Sequence, residues 1–78
     1  MVIHTDATII GSKTGTNERG TWYNVSCVIN DEPYQLSATK EAYNVCANAE
    51  FGKEMKMIAE LRLYQGNWKL RVLDFEEY

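Results

Sequence analysis

Thr39–Gly52, TKEAYNVCANAEFG, is the one stretch of this 78-residue chain with helical spacing, and its place among strand-like segments decides the fold. Thr39 is a fair N-cap. Ala42, Val45, Cys46 and Ala49 recur at three- and four-residue intervals, with Asn44 and Asn48 on the opposite side, and Gly52 supplies a stop. The spacing predicts a short helix over residues 40–49, with three strands before it and two after.

Upstream, residues 2–11 (VIHTDATIIG) form a first strand with Ile3, Ala7 and Ile9 on one face, and Ile10 interrupts the alternation. Ser12–Gly20 (SKTGTNERG) reads as a flexible polar loop. Thr21–Ile29 (TWYNVSCVI) is the clearest strand, rich in β-branched and aromatic residues. It places Tyr23, Val25, Cys27 and Ile29 inward and Trp22, Asn24, Ser26 and Val28 outward. Asn30-Asp31-Glu32-Pro33 is a turn into Tyr34–Ala38. With Asp31-Glu32 as its central residues, Ile29 meets Tyr34 and Cys27 meets Leu36, while Ser26 meets Ser37 and Val28 meets Gln35.

Downstream, Lys53–Tyr64 alternates with Met55, Met57, Ala59, Leu61 and Leu63 inward, and Trp68–Glu76 follows after a two-residue turn at Gly66-Asn67. That register sets Leu63 against Leu70 and Leu61 against Val72 on one face. On the other it sets Tyr64 against Lys69 and Arg62 against Arg71, an opposed cation pair that is mildly destabilising. Past Val72 the alternation slips, since Leu73 and Phe75 take the outer parity, and a bulge accounts for it.

The charge pattern adds a functional hint. The formal net charge is −3, yet Lys56–Arg71 carries four cations against Glu60 alone and is locally +3, leaving −6 on the remainder. A sheet that gathers cations beside an aromatic ring suits a flat anionic ligand such as nucleic acid. The acidic balance argues against broad binding of duplex DNA, which shows as a basic excess. The acidic end, Asp74–Tyr78, reads as a solvated terminus.

Seventy-eight residues make one small domain, a size at which oligomerisation helps. The 45% apolar and 24% charged composition is that of an ordinary globular protein. No apolar run approaches the ~20 residues of a membrane span, and the first residues lack a secretory signal's pattern. Cys27 and Cys46 lie in core-like segments without metal-ligand spacing, so they read as reduced buried thiols, and a cytoplasmic location is expected.

The order β-β-β-α-β-β, carried by the segments quoted above, resembles the OB-fold, a five-stranded Greek-key barrel with a helix plugging one end. More narrowly, the chain resembles the OB-fold single-stranded nucleic-acid-binding proteins, including small phage helix-destabilising proteins and bacterial single-strand binders. The resemblance implies an all-β barrel with one short helix, ligand-bound across strands two and three between two clasping loops. It implies those loops are Ser12–Gly20 and Gln65-Gly66-Asn67, with strand five beside strand three.

The candidate nucleic-acid-binding residues are Lys13, Arg19, Trp22, Asn24, Gln35, Arg62, Tyr64, Lys69 and Arg71. Trp22 offers a stacking platform, with covering a barrel end or a dimer contact as the alternative. Tyr64 and Trp68 flank the hairpin turn and could sandwich a base, although packing on the core suits Trp68 better. Arg62, Lys69 and Arg71 suit phosphates, with salt bridges to Glu60 or Glu76 as the alternative. Lys13 and Arg19 would close the loop over the strand. Asn24, Ser26, Gln35 and Ser37 can hydrogen-bond bases or backbone.

Enzymatic readings fare worse. His4 has no partner cluster, and there is no phosphate-binding glycine loop, nucleophile motif or paired-carboxylate spacing. No catalysis, cofactor or metal is expected. The expected partner is single-stranded DNA, with RNA and a homodimer also open; the competing reading is a protein-interaction module using Trp22, Tyr64 and Trp68.

Overall fold

A computed structural model describes residues 1–78 throughout. Five strands and one helix follow the expected order: β1 (Val2–Asn17), β2 (Gly20–Ile29), β3 (Glu32–Ala38), α1 (Lys40–Asn48), β4 (Glu54–Tyr64) and β5 (Asn67–Glu76). The strands close into a barrel in the order β1-β2-β3-β5-β4. The β3–β5 contact is parallel, Ser37 beside Arg71 and Ala38 beside Val72, and every other pairing is antiparallel. This is the layout the strand order implied, with strand five against strand three.

Period-two alternation decides which side chains fill the interior. Ala7, Ile9, Val25, Cys27, Met55, Met57, Ala59 and Val72 are buried from the strands, joined by Ala38 and Phe75. A five-stranded barrel is narrow, and the alanines let its walls approach while the methionines fill what is left. Ala42 and Cys46 bring α1 onto one end. There Tyr23 and Tyr43 meet with ring centroids 5.2 Å apart.

The helix starts where the strand stops because Thr39 serves both. Its Oγ1 accepts from the Ala42 N–H at 3.1 Å and donates to the Leu73 carbonyl at 2.8 Å, while its own N–H reaches the Val72 carbonyl. Removing that side chain would undo a cap and a tie to β5 together.

Two bulges accommodate the breaks in alternation. In β1, the register shifts between Ile9 and Gly11, so Ile10 is the extra residue. The Gly11 carbonyl then accepts from the Cys46 thiol, at 3.1 Å. In β5, Ile58 pairs with Asp74 but Ala59 with Val72, which leaves Leu73 unpaired and turns Phe75 inward. The bulge expected past Val72 is therefore present.

Three expectations are corrected. Ser12–Gly20 is not a loop: β1 continues to Asn17, paired with β2 down to a two-residue turn at Glu18-Arg19. The segment's polarity comes from projecting past the barrel with both faces wet, and its threonines favour strand. The β2–β3 turn is Asn30-Asp31, both at positive φ, as a type I′ turn requires. Cys27 thus faces Tyr34, Ser26 faces Gln35 and Asn24 faces Ser37.

Similarly, the β4–β5 turn is Gln65-Gly66, again with both residues at positive φ. Leu63 therefore opposes Trp68, Arg62 opposes Lys69, and Arg71 opposes Glu60 rather than Arg62. Each turn lies one residue earlier than read, which slides the pairing by two and keeps every side chain on its expected face.

Both cysteines are free and buried. Burial pushes the Cys27 thiol up, and burial with the neighbouring Cys27 pushes Cys46 from 9.0 up to about 11. Because the folded-state values are raised, the stability these neutral thiols contribute is complete below the unfolded value and is lost progressively from there as pH rises through the folded values. Native protein should leave both thiols unreactive toward a disulfide reagent at neutral pH and lose stability above about pH 9. Titration in denaturant should release two reactive thiols, and prompt native reaction would contradict their burial.

Candidate nucleic-acid interface

Residues paired across neighbouring strands share a face, so the registers define rows running around the barrel. One row reads Lys13, Asn24, Ser37, Arg71, Glu60 across β1, β2, β3, β5 and β4. It gathers one residue from each strand onto the outer surface. Arg62 and Lys69 follow on the next outward-facing rung, and Tyr64 closes it beside the hairpin turn.

Two open concavities meet on this row. One, of about 560 Å³, is lined by Trp22, Tyr23, Ser37, Thr39, Lys40, Glu41 and Arg71 among others. The second, of about 330 Å³, is lined by Ser37, Glu60, Arg62, Tyr64, Lys69, Leu70 and Arg71. Ser37 and Arg71 belong to both, so a single groove runs from the Trp22 ring to the Tyr64 ring.

The two rings are held differently. Trp22 is half-buried and opposes Gly15, and a Cβ on that glycine would collide with the indole. The indole therefore lies against glycine backbone, a fixed platform that any side chain at position 15 would displace. Thr14 Oγ1 adds a bond to the Trp22 carbonyl at 2.8 Å. Tyr64 is 61% exposed and free to adapt.

The electrostatics follow from which cations find carboxylates. Glu60 is taken by Arg62, and Lys53 by Glu77. Lys13, Lys40, Lys69 and Arg71 have no carboxylate within ion-pair distance. Lys13, Lys40, Arg62, Lys69 and Arg71 against Glu41 and Glu60 make the groove face net +3 in a chain of −3. The acidic end is held elsewhere: Lys53 lowers the Glu77 carboxyl, through a hydrogen bond first and its charge second, on the far side of α1.

Of the nine expected site residues, Trp22, Arg62, Tyr64, Lys69 and Arg71 line the groove, and Lys13 and Asn24 lie in its central row. Gln35 shares the outer face, opposite Ser26, but lines neither concavity. Arg19 sits at the tip of the β1–β2 ribbon, three rungs beyond Trp22 and about 10 Å further along the strand. Lys13 is on β1 and Arg19 in the distant turn, so the two basic residues do not close a loop over the groove as expected.

Trp68 is corrected twice. It is 62% exposed rather than packed on the core, because the hairpin overhangs the barrel. It also points to the opposite face from Tyr64, so the two cannot sandwich a base, and one surface cannot combine Trp22, Tyr64 and Trp68. Lys40 was missed: as the first residue of a helix it carried no strand-face signal, and only the β3–α1 junction brings it to the groove.

No helix is long and apolar enough to cross a membrane, and no cluster of metal-ligating side chains occurs. No protein-family model matches the sequence, and no curated protein matches it either.

Proposed function

We propose that this protein binds single-stranded DNA without strong sequence preference, along the groove between Trp22 and Tyr64. The observation that carries the reading is Arg71: exposed, without a carboxylate partner, and common to both halves of a groove with an aromatic ring at each end. Bases would stack on Trp22 at ~1–3 kcal/mol each. Phosphates would take Arg71, Lys69 and Lys13, and Asn24 and Ser37 would hydrogen-bond the strand from the floor. Binding unpaired bases shifts the duplex–single-strand balance toward the open form and protects it.

The test is a tryptophan-fluorescence titration with single-stranded DNA, RNA of the same sequence and the matching duplex at two salt concentrations. The expected result is quenching by the single strands, weaker with more salt and weaker still for the duplex. A flat signal with all three at low salt would reject the reading. A protein-interaction module is the second reading, favoured by the solvent-exposed Leu63–Trp68 pair on the other face of the hairpin.

A further inference from the structure

The barrel end away from α1 is apolar and open. Ile3, Ile29, Leu36 and Leu70, with the Tyr34 ring at 42% exposure, line a cleft of about 300 Å³ in which Thr5 is the only other polar side chain. Beside it the β4–β5 hairpin overhangs, with Leu63 and Trp68 as cross-strand partners, each 62% exposed. Both share the face of Leu61 and Leu70, so they extend the apolar wall of the cleft outward.

We propose that this end is a two-fold homodimer interface, in which the Trp68 indole of each copy enters the cleft of the other. A projecting ring and a cleft on one surface are the self-complementary pair that an isologous contact requires. The charges suit a second copy at this end better than on the groove face. No charged residue lines the cleft, and the carboxylate at its rim, Glu32, accepts a hydrogen bond from the Tyr34 hydroxyl at 2.9 Å, so two copies can meet there with little like-charge contact, whereas two groove faces of +3 would repel. The area is adequate: Leu63, Trp68, Tyr34 and the cleft wall expose on the order of 500 Å² of apolar surface, most of the ~800 Å² per partner of a standard interface. Because Trp68 and Tyr64 take opposite faces of the hairpin, dimerisation leaves the Trp22–Arg71 part of the groove accessible, while Leu70 borders both groove and cleft; the inference does not depend on what the groove binds.

Light scattering coupled to size-exclusion chromatography of the full chain, from about 1 to about 200 µM, tests it. The expected mass rises from 9.0 kDa toward twice that value with concentration. Trp68→Ala should weaken self-association by at least about tenfold, as loss of a central aromatic anchor does. Leu63→Lys should do the same by placing a charge in the contact, and both variants should keep the wild-type circular dichroism because both positions are exposed. In a Trp22→Phe background, Trp68 emission should shift to the blue as the dimer forms. A chain that stays monomeric throughout overturns the proposal, whether or not its cleft takes up a hydrophobic dye. So does a dimer that both substitutions leave unchanged.

Discussion

Replacing Arg71 by glutamate is expected to lower affinity for a single-stranded oligodeoxynucleotide by roughly a hundredfold, about 2.7 kcal/mol. A hydrogen bond to a charged group contributes about 1.5–3 kcal/mol, and reversal adds repulsion at the point shared by both halves of the groove. The fold should persist, because Arg71 is exposed and forms no ion pair in the protein, with a small loss of stability because the new carboxylate stands opposite Glu60. Lys56→Glu is the control. It changes net charge equally but lies outside the groove, between Asp6 of β1 and Glu76 of β5, and should cost a few-fold at most. Fluorescence anisotropy with a labelled oligonucleotide reads both. Equal losses would mean that net charge, and not the groove, governs binding.

The second large effect concerns stability. Phe75→Ala should destabilise the protein by about 3–4 kcal/mol, since a buried aromatic is lost and the cavity persists. Phe75 is 3% exposed, reaches the interior only because Leu73 bulges out of register, and packs where α1 meets the barrel. A chain of 78 residues has a total stability of roughly 4–12 kcal/mol, so the variant should be near the edge of folding. Leu73→Ala, at a half-buried bulge residue, should cost only about 1 kcal/mol. Urea denaturation that ranks the two in the opposite order would contradict the inward turn at Phe75.

Much of this arrangement is legible in the residues themselves. The helix is readable because Ala42, Val45, Cys46 and Ala49 keep one spacing, and it occupies Lys40–Asn48 against an expected 40–49. The inward sets are readable because alternation reports a face, and a two-residue slip preserves parity. That is why both hairpins kept their faces while their partners were wrong. At the β4–β5 hairpin the slip has a clear cause: a type I′ turn needs two consecutive residues at positive φ, and Gln65 is an unusual choice for the first. Gly66-Asn67 therefore looked the better turn.

Other features leave no trace in local sequence. Ser12–Asn17 has no apolar face to alternate because the ribbon it forms stands clear of the barrel. The exposure of Trp68 follows from how far the hairpin overhangs, and the groove position of Lys40 from how β3 hands over to α1; both depend on barrel closure. The cationic strip is visible as composition, with salt bridges to Glu60 or Glu76 as the alternative to anion binding, but which cation takes Glu60 is not: the register sets Glu60 opposite Arg71, yet its carboxylate pairs with Arg62 on its own strand and leaves Arg71 without an ion pair.

The most direct measurement of the central claim is the salt dependence of single-strand affinity, followed by tryptophan quenching. If Lys13, Lys69 and Arg71 each neutralise one phosphate, the logarithm of the association constant should fall against the logarithm of salt concentration with a slope of about −2. Quenching with that slope is the expected result. Absence of quenching at low salt, or binding with a slope near zero, would contradict a groove built on those cations.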